Sequence, residues 1–492
     1  MSEIKKIVAA NRFPRDPKTQ KFNLGGLATA LGSGQNMSWV GASDISNVEP
    51  TLVKGIKCIP AVIDKFTYKA HYEGAANSFL WPAFHGLKTP KLLPGWKQSY
   101  VAANISFVNA IEQEIQNTQA DLNMVWVHDY HLFLVPGFLR ERKNDASIGF
   151  FLHIPFPSLS EVLELLNDGR ITRAFLIELL EGILGSDLIG FHIKNYSDNF
   201  IQTINYLGIE GFENFNGKYS FKGKPVKISE FPIGIDPERY RKAVTNLANS
   251  NKHDEIRSRF DPTKKKTVFV GVDRLDYTKG IDHKLLGFQQ LLREGHVTAD
   301  EVVMVQIAPT NRENVEAYIN HKKTVDKLVA EIHAEFGKDV LHFVDQGIPI
   351  DEGNTQDLEW PYSELSVVEL LSIADVAVVT AVKDGMNLVA KEFVAAQWFQ
   401  FQQGIKSTVG SLVLSDGVGA IDELGAYSNS HKAGDIDDIA AKLLISFWED
   451  NERFDSKRLS RIESMAELVT KKNTVSHWRD SFWSQLASMK HN

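Results

Sequence analysis

The 492-residue chain has one cysteine, Cys58. A single cysteine excludes an intramolecular disulfide and a cysteine-based zinc site, and it fits a reducing compartment. Long apolar runs are lacking as well. None approaches the ~20 residues that cross a bilayer. The opening "MSEIKKIVAANR" holds only the short apolar run Ile7 to Ala10, too little for a signal peptide. A net charge of −8 supplies no basic field for nucleic acid or an anionic membrane. Low-complexity tracts and repeats at solenoid periods are also missing. These absences lead us to expect a cytoplasmic globular protein with neither nucleic acid nor membrane as partner.

What the chain does have is alternation. Short β-branched or aliphatic runs recur as "KIVAA", "NMVWVH", "SIGFFLH", "DLIGFH", "TVFVGV", "EVVMVQI", "VAVVTAV" and "GSLVLS". Amphipathic helical patterns such as "EVLELLNDGRITRAFLIELLEGIL" separate several of them. This pattern predicts α/β architecture with parallel, doubly wound sheets. The length suits two large domains at ~150 residues or more each. Pro232, Gly234 and Pro237 interrupt the pattern, which predicts domains over 1–235 and 236–473. In the tail "TVSHWRDSFWSQLASM", Val475, Trp478, Phe482 and Leu486 share one helical face. A face so apolar must dock, and residues 474–492 are expected to pack back on the first domain.

Ligands of such folds bind beyond the carboxyl ends of the strands, so polar residues there are the candidates. The first strand ends in Asn11-Arg12, and "NLGGLATAL" then opens a helix with Gly25-Gly26. Two glycines before a helix let backbone approach a phosphate, although a plain turn reads equally well. "GSGQNM" imitates a dinucleotide fingerprint, but it lacks the third glycine and follows a helix. "VWVHDYH" ends a strand in His128-Asp129-Tyr130-His131, where nothing nearby completes a metal-ligand set. "FFLHIPFP" ends another in His153-Ile154-Pro155, and "QIAPTNRENV" sets Arg312 just past a third. "VGVDRLDYTKG" carries Arg274 and Lys279 in a glycine-terminated loop, where Arg forks onto phosphate oxygens and Lys adds a point charge.

The stretch "VVTAVKDGMNLVAKEFVAAQ" turns from strand to helix through Asp384-Gly385, with the helix expected from Met386. Free N–H groups at that helix start favour a diphosphate, and Gly385 lets it come close. Asp384 and Glu392 repel phosphate but accept from sugar and ribose hydroxyls. The stretch therefore reads as a nucleotide-sugar site.

Together these motifs resemble the trehalose-6-phosphate synthases, retaining glucosyltransferases of the GT-B fold. "NLGGL", "ANSFLWPAFH", "VWVHDYH", "GFFLHIPFP", "FPIGID", "VDRLDYTKG", "QIAPTNR" and "VTAVKDGMNLVAKEFVA" match in order along almost the whole chain. The resemblance implies two Rossmann-like domains facing a cleft, the first on the acceptor side and the second binding the nucleotide sugar. It implies a UDP-glucose donor and a glucose 6-phosphate acceptor, with no metal or other cofactor. On the donor side it points to Gly25, Gly26, Arg274, Lys279, Tyr362, Asp384 and the run Met386, Asn387, Leu388, Val389, Ala390, Lys391, Glu392. On the acceptor side it points to Arg12, Tyr72, Trp81, Asp129 and Arg312, with Trp81 and Ile154 selecting the anomer. Arg274, Lys279, Asp129 and His153 would be the catalytic set. The family's Gly-Trp-Ser-Gly is replaced here by "SWVGASDIS", with Ala42 at the tryptophan's position. Two alternatives remain: another phosphorylated acceptor, such as glycerol 3-phosphate, and a non-catalytic regulatory relative. The nucleobase of the donor and the oligomeric state, including a homo-oligomer, are left open.

Overall fold

The structure is a computed structural model that describes residues 4–14, 30–31, 37–43, 51–53, 55–118, 120–250, 252–310, 312, 315–350, 362, 365–451 and 456–489. The chain divides into two compact units. The first combines Met1–Pro232 with Ser476–Asn492, and the second is Ile233–Val475.

The first unit is built on a ten-stranded sheet. Its strands are β1 (Ile4–Ala9), β2 (Met37–Ser43), β3 (Thr51–Val53), β4 (Ile56–Val62), β5 (Leu122–His128), β6 (Ser147–Phe151), β7 (Leu188–Phe191), β8 (Phe212–Phe215), β9 (Lys218–Phe221) and β10 (Lys224–Glu230). They lie in the order β3-β4-β2-β1-β5-β6-β7-β10-β9-β8. From β4 to β10 every neighbouring pair is parallel, and antiparallel strands flank both sides. The order reverses between β1 and β5, so the switch point, where a ligand crevice opens, lies beyond Ala9 and His128.

The second unit carries β11 (Thr267–Val272), β12 (Val302–Ile307), β13 (Leu341–Val344), β14 (Val376–Val379), β15 (Ser411–Ser415) and β16 (Asn429–His431). The order is β13-β12-β11-β14-β15-β16 and every pair is parallel. Central strands buried on both faces need continuous apolar sequence, which "TVFVGV" and "VVMVQI" supply. Helix Ile281–Arg293 covers one face through Leu285, Phe288 and Leu291, with Ile439 and Leu443 of helix Ile436–Asn451 in the same cluster. Each such side chain contributes about 1.5–3 kcal/mol on full burial. Here the switch point lies between β11 and β14, beyond Val272 and Val379.

Helix Val475–Ser488 closes the first unit's core. Val475, Trp478, Phe482 and Leu486 are all buried. The Phe482 ring stacks on Trp126 of β5 at 4.1 Å and 6°, and Trp478 meets Phe151 of β6 edge-on at 5.3 Å. Glycines make the space. A Cβ at Gly149 would lie 2.5 Å from the Phe482 ring, and one at Gly190 would lie 2.9 Å from it.

At the opposite, amino end of the second sheet sits a buried charge cluster. Asp375 pairs with Arg257 at 2.7 Å and Lys406 at 2.6 Å, and accepts from the Val268 amide at 2.9 Å. Burial works to raise its pKa, but Lys406 and Arg257 outweigh burial and hold it at about 2. Asp450 accepts from the Thr267 hydroxyl at 2.9 Å. Burial first, and then the Asp375 charge, pushes Asp450 up to about 6. An acid whose folded pKa exceeds its unfolded value of ~4 costs stability as pH rises from there, fully so above the folded value. Asp450→Asn keeps an acceptor for Thr267. It is expected to stabilise the protein above pH 6 by at most about 3 kcal/mol. The gain should vanish below about pH 4, read from thermal melts across pH; a pH-independent gain would rule this account out.

Candidate functional site

In the second unit the site grows from two strand-end loops. After β11, the Asp273 amide donates to the Ile307 carbonyl at 3.0 Å and the Leu275 amide to the Pro309 carbonyl at 2.9 Å. The backbone is fixed on both sides of Arg274, whose side chain is exposed. Asp276 then caps a single 3₁₀ turn, Tyr277–Lys279, accepting from the Thr278 amide and hydroxyl at 3.0 Å each. Gly280 ends the turn at φ 60°, and a Cβ there would lie 2.3 Å from the Thr380 carbonyl oxygen. That contact ties the β11 loop to the end of β14, and the Val382 amide donates to the Thr278 carbonyl at 2.8 Å beside it.

These ties bring Lys279 and Asp384 together. The Lys279 ammonium lies 2.5 Å from an Asp384 carboxylate oxygen, which also accepts from the Asn387 amide group at 3.2 Å. Asp384 is fixed by its own backbone, whose amide donates to the Gly417 carbonyl at 2.9 Å and whose carbonyl accepts from the Gly419 amide at 3.1 Å. The helix runs Leu388–Gln402, starting after Met386 because Asn387 adopts φ 70° and caps it, accepting from the Ala390 amide at 3.3 Å. Met386 and Ala390 are buried, and Leu388 and Val389 are half-buried. The Lys391 side chain is wholly buried, donating to the Ile233 carbonyl at 2.8 Å and to Glu423 at 2.7 Å. Glu392 has its pKa raised by burial, against a hydrogen bond with Tyr240 and the charge of Arg239. Tyr362 stands beside β13, its hydroxyl 3.1 Å from His342 Nδ1.

Sequence reasoning missed the centre of this half. Asp276 is fully buried, yet its pKa lies below the usual carboxylate range. Burial opposes that, but the positive charges of Arg312, Arg274 and Lys279 prevail. Arg312 lies 3.7 Å from its carboxylate and hydrogen-bonds the Tyr318 hydroxyl, which donates to Asp276 at 3.0 Å. One buried anion therefore gathers three cations from the loops after β11 and β12. A second buried pair, Lys284 with Asp273 at 2.8 Å, lies behind it, and Lys284 also donates to Gln306 at 2.9 Å.

In the first unit, Arg12 follows β1. Its guanidinium hydrogen-bonds the Tyr72 hydroxyl and lies 5.4 Å from that ring's centre. Tyr72 stacks on Tyr68 at 5.5 Å and on His131 at 5.8 Å. It rides on a π-helix, Ala70–Leu80, where Asn77 donates to the Tyr72 carbonyl at 2.7 Å. Wide-turn helices of this kind are uncommon and often mark functional sites. Asp129 follows β5, its amide donating to the Phe151 carbonyl at 2.8 Å and its carboxylate accepting from the His153 amide at 3.3 Å. Trp81 is buried between His85, at 4.3 Å, and Tyr130, at 5.6 Å, and Ile154 is buried just beyond β6. Ala42 is half-buried at the end of β2. Trp39 does not substitute for a tryptophan there: three residues apart on a strand, the two side chains face opposite ways. The Trp39 indole instead holds the Arg12 carbonyl at 3.0 Å. His128 and His131, read as a His-x-x-His, face different neighbours: His153 and Tyr72. Gly25 and Gly26 lie outside the described residues.

Three of these positions carry a left-handed backbone. Asp129 (φ 74°), Arg312 (φ 51°) and Asn387 (φ 70°) are three of the seven described non-glycine residues in the left-handed region. For Arg that conformation costs about 1–2 kcal/mol, and strain of this kind tends to cluster where ligands bind.

The family model of glycosyltransferase family 20 matches residues 27–488. The chain belongs to glycosyltransferase family 20. Among its relatives, the trehalose-6-phosphate synthase of Mycolicibacterium gilvum is 33% identical, with 98% of this chain and 93% of that protein aligned. The Dictyostelium discoideum alpha,alpha-trehalose-phosphate synthase [UDP-forming] A is 32% identical over 98% of this chain, which spans only 62% of that longer protein. Solved relatives share the fold of this family-20 enzyme. The E. coli trehalose-6-phosphate structure bound with UDP-2-fluoro glucose has a TM-score of 0.78 and 27% identity, with 98% of each chain covered. The Burkholderia xenovorans alpha,alpha-trehalose-phosphate synthase in complex with glucose-6-phosphate has a TM-score of 0.79 and 25% identity, covering 98% of this chain and all of that one.

Proposed function

We propose that this family-20 glycosyltransferase moves glucose from UDP-glucose to glucose 6-phosphate with retention, giving α,α-trehalose 6-phosphate and UDP. The observation that carries the reading is the set of cations around Asp276. Arg274, Lys279 and Arg312 are gathered at a sheet switch point, where phosphates bind. The relatives solved with a UDP-glucose analogue and with glucose 6-phosphate support the same substrates.

In this mechanism the bond between glucose C1 and the diphosphate oxygen breaks, and its electron pair leaves with UDP. Arg274 and Lys279 stabilise the charge that develops there, as preorganised electrostatics. The acceptor hydroxyl attacks C1 from the face that UDP is leaving, and its proton passes to the departing phosphate oxygen. No protein nucleophile and no metal take part. Asp384 accepts from hydroxyls of the donor glucose, Glu392 from those of the ribose, and Arg312 and Arg12 pair with the acceptor's phosphate. Gly25 and Gly26 line the donor phosphates and Tyr362 the base; Trp81 and Ile154 select the anomer.

The test is product analysis with UDP-glucose and glucose 6-phosphate in EDTA. Formation of trehalose 6-phosphate at the rate seen with Mg²⁺ is expected; transfer only to glycerol 3-phosphate, or only with metal, overturns the reading. Arg312→Ala should raise KM for glucose 6-phosphate by roughly ten- to 100-fold, since a charged hydrogen bond contributes about 1.5–3 kcal/mol. KM for UDP-glucose should stay nearly unchanged, and an unaltered acceptor KM would remove Arg312 from the acceptor site.

A further inference from the structure

Two imidazoles meet at the carboxyl ends of β5 and β6. His128 Nδ1 lies 3.0 Å from His153 Nε2, and the rings are nearly parallel, 23° apart. A nitrogen–nitrogen contact this short needs one proton between the two atoms: one ring donates and the other accepts. Burial, and for His128 the neighbouring His153, hold the pKa of the His128 ring well below its usual value. Burial and then His192 do the same for His153. Each is a neutral imidazole with a single N–H.

The surroundings of His128 decide which ring donates. His128 is fully buried, packed on Trp126 at 4.6 Å and near Trp478 at 6.4 Å. Its Nε2 is buried and has no hydrogen-bond partner among the described residues. If the proton sat on Nε2, a buried N–H would have no acceptor, the less tolerated kind of orphan. With the proton on Nδ1, only an acceptor lone pair is left over. His128 Nδ1–H therefore donates, and His153 Nε2 accepts. We infer that His128 is a positioning residue that locks His153 in the tautomer with its proton on Nδ1, making the accessible histidine a hydrogen-bond donor to the sugar.

This inference deepens the proposed reaction and rests on it for the word sugar. His153 is half-exposed while His128 is sealed, so only His153 reaches a ligand. Its one free polar function is then the Nδ1–H. That N–H suits a hydroxyl oxygen of the donor glucose and orients the ring at C1 without titrating. Because Nε2 is occupied by His128, His153 does not serve as a general base.

The decisive measurement is a long-range ¹H–¹⁵N spectrum of the full-length wild-type protein labelled at histidine, which reports tautomers without substrate. His153 should appear protonated on Nδ1 and His128 likewise; a proton on Nε2 of His153 overturns the inference whatever the enzyme transfers. Kinetics add a second arm. His128→Asn keeps an N–H donor near Nδ1 and is expected to retain kcat within about threefold. His128→Phe should lose about tenfold or more in kcat, the cost of one missing hydrogen bond at about 1.4 kcal/mol, with KM for glucose 6-phosphate unchanged. Equal losses in both variants, or none in the phenylalanine variant, would refute positioning by donation. Activity on none of the sugar-phosphate acceptors, with the Nδ1 tautomer intact, would instead fault the proposed reaction.

Discussion

Arg274→Ala is expected to lower kcat/KM for UDP-glucose by at least about 100-fold, equivalent to about 3 kcal/mol of transition-state stabilisation. The loop geometry explains why the effect should be on function alone. Arg274 is exposed, while the backbone on either side is held by Ile307 and Pro309. Removing an exposed charged partner typically changes stability by no more than ~1 kcal/mol. The thermal midpoint should therefore hold while the affinity for UDP, read by calorimetry, collapses. Wild-type UDP affinity in the variant would mean that the cation beside Asp276 does not face a diphosphate.

The second large effect concerns Asp276 itself. Its carboxylate is fully buried and its pKa is depressed by Arg312, Arg274 and Lys279 against the pull of burial. Such a group contributes stability above the unfolded carboxylate range and loses it only as pH falls through the lowered folded value. Asp276→Asn preserves shape and an acceptor for Thr278 but takes the counter-charge away from Arg312, whose guanidinium is buried beside it. Breaking a buried pair from one side costs about 3–5 kcal/mol, so the melting point of the second unit should fall by roughly 6–12 °C. Added UDP or phosphate should close part of that gap, because an anion bound to the folded state replaces the lost charge. An unchanged midpoint, together with unchanged KM values for both substrates, would show that Asp276 does not organise these cations.

The reason Asp276 escaped sequence reading is instructive. Arg274, Lys279 and Asp384 were legible because each follows an apolar β-branched run, and a charge just past a buried strand stands out. Asp276 sits in the same loop but resembles any solvated acid. Its partner Tyr318 lies on helix Glu316–Phe336 and has no local signal. Only the pairing of β11 with β12 brings them together. The strands show the same division. β11, β12 and β14 announce themselves by composition. β4 buries Ile56, Cys58, Ile59 and Ala61, yet Lys57 and Pro60 break up its apolar run; the hairpin β8–β9, with Glu213, Asn214 and Lys218, does not read as strand because it lies at the sheet's edge and buries little. The resemblance sets Lys391 in the donor-side run from Met386 to Glu392, and its side chain turns inward to Ile233 and Glu423.

The helix that fills the hollow over Gly149 and Gly190 carries a consequence for how the protein comes into being. Its residues emerge from the ribosome after the whole of Ile233–Val475, which takes roughly 10–50 s to translate at about 5–20 residues per second. Throughout that interval the nascent first unit can pair its strands, yet Trp126 and Phe151 lack the rings that cover them. The half of the polypeptide made first is thus the half finished last. Until Trp478 and Phe482 arrive, it offers chaperones a wet aromatic trough where the mature protein has a sealed interior.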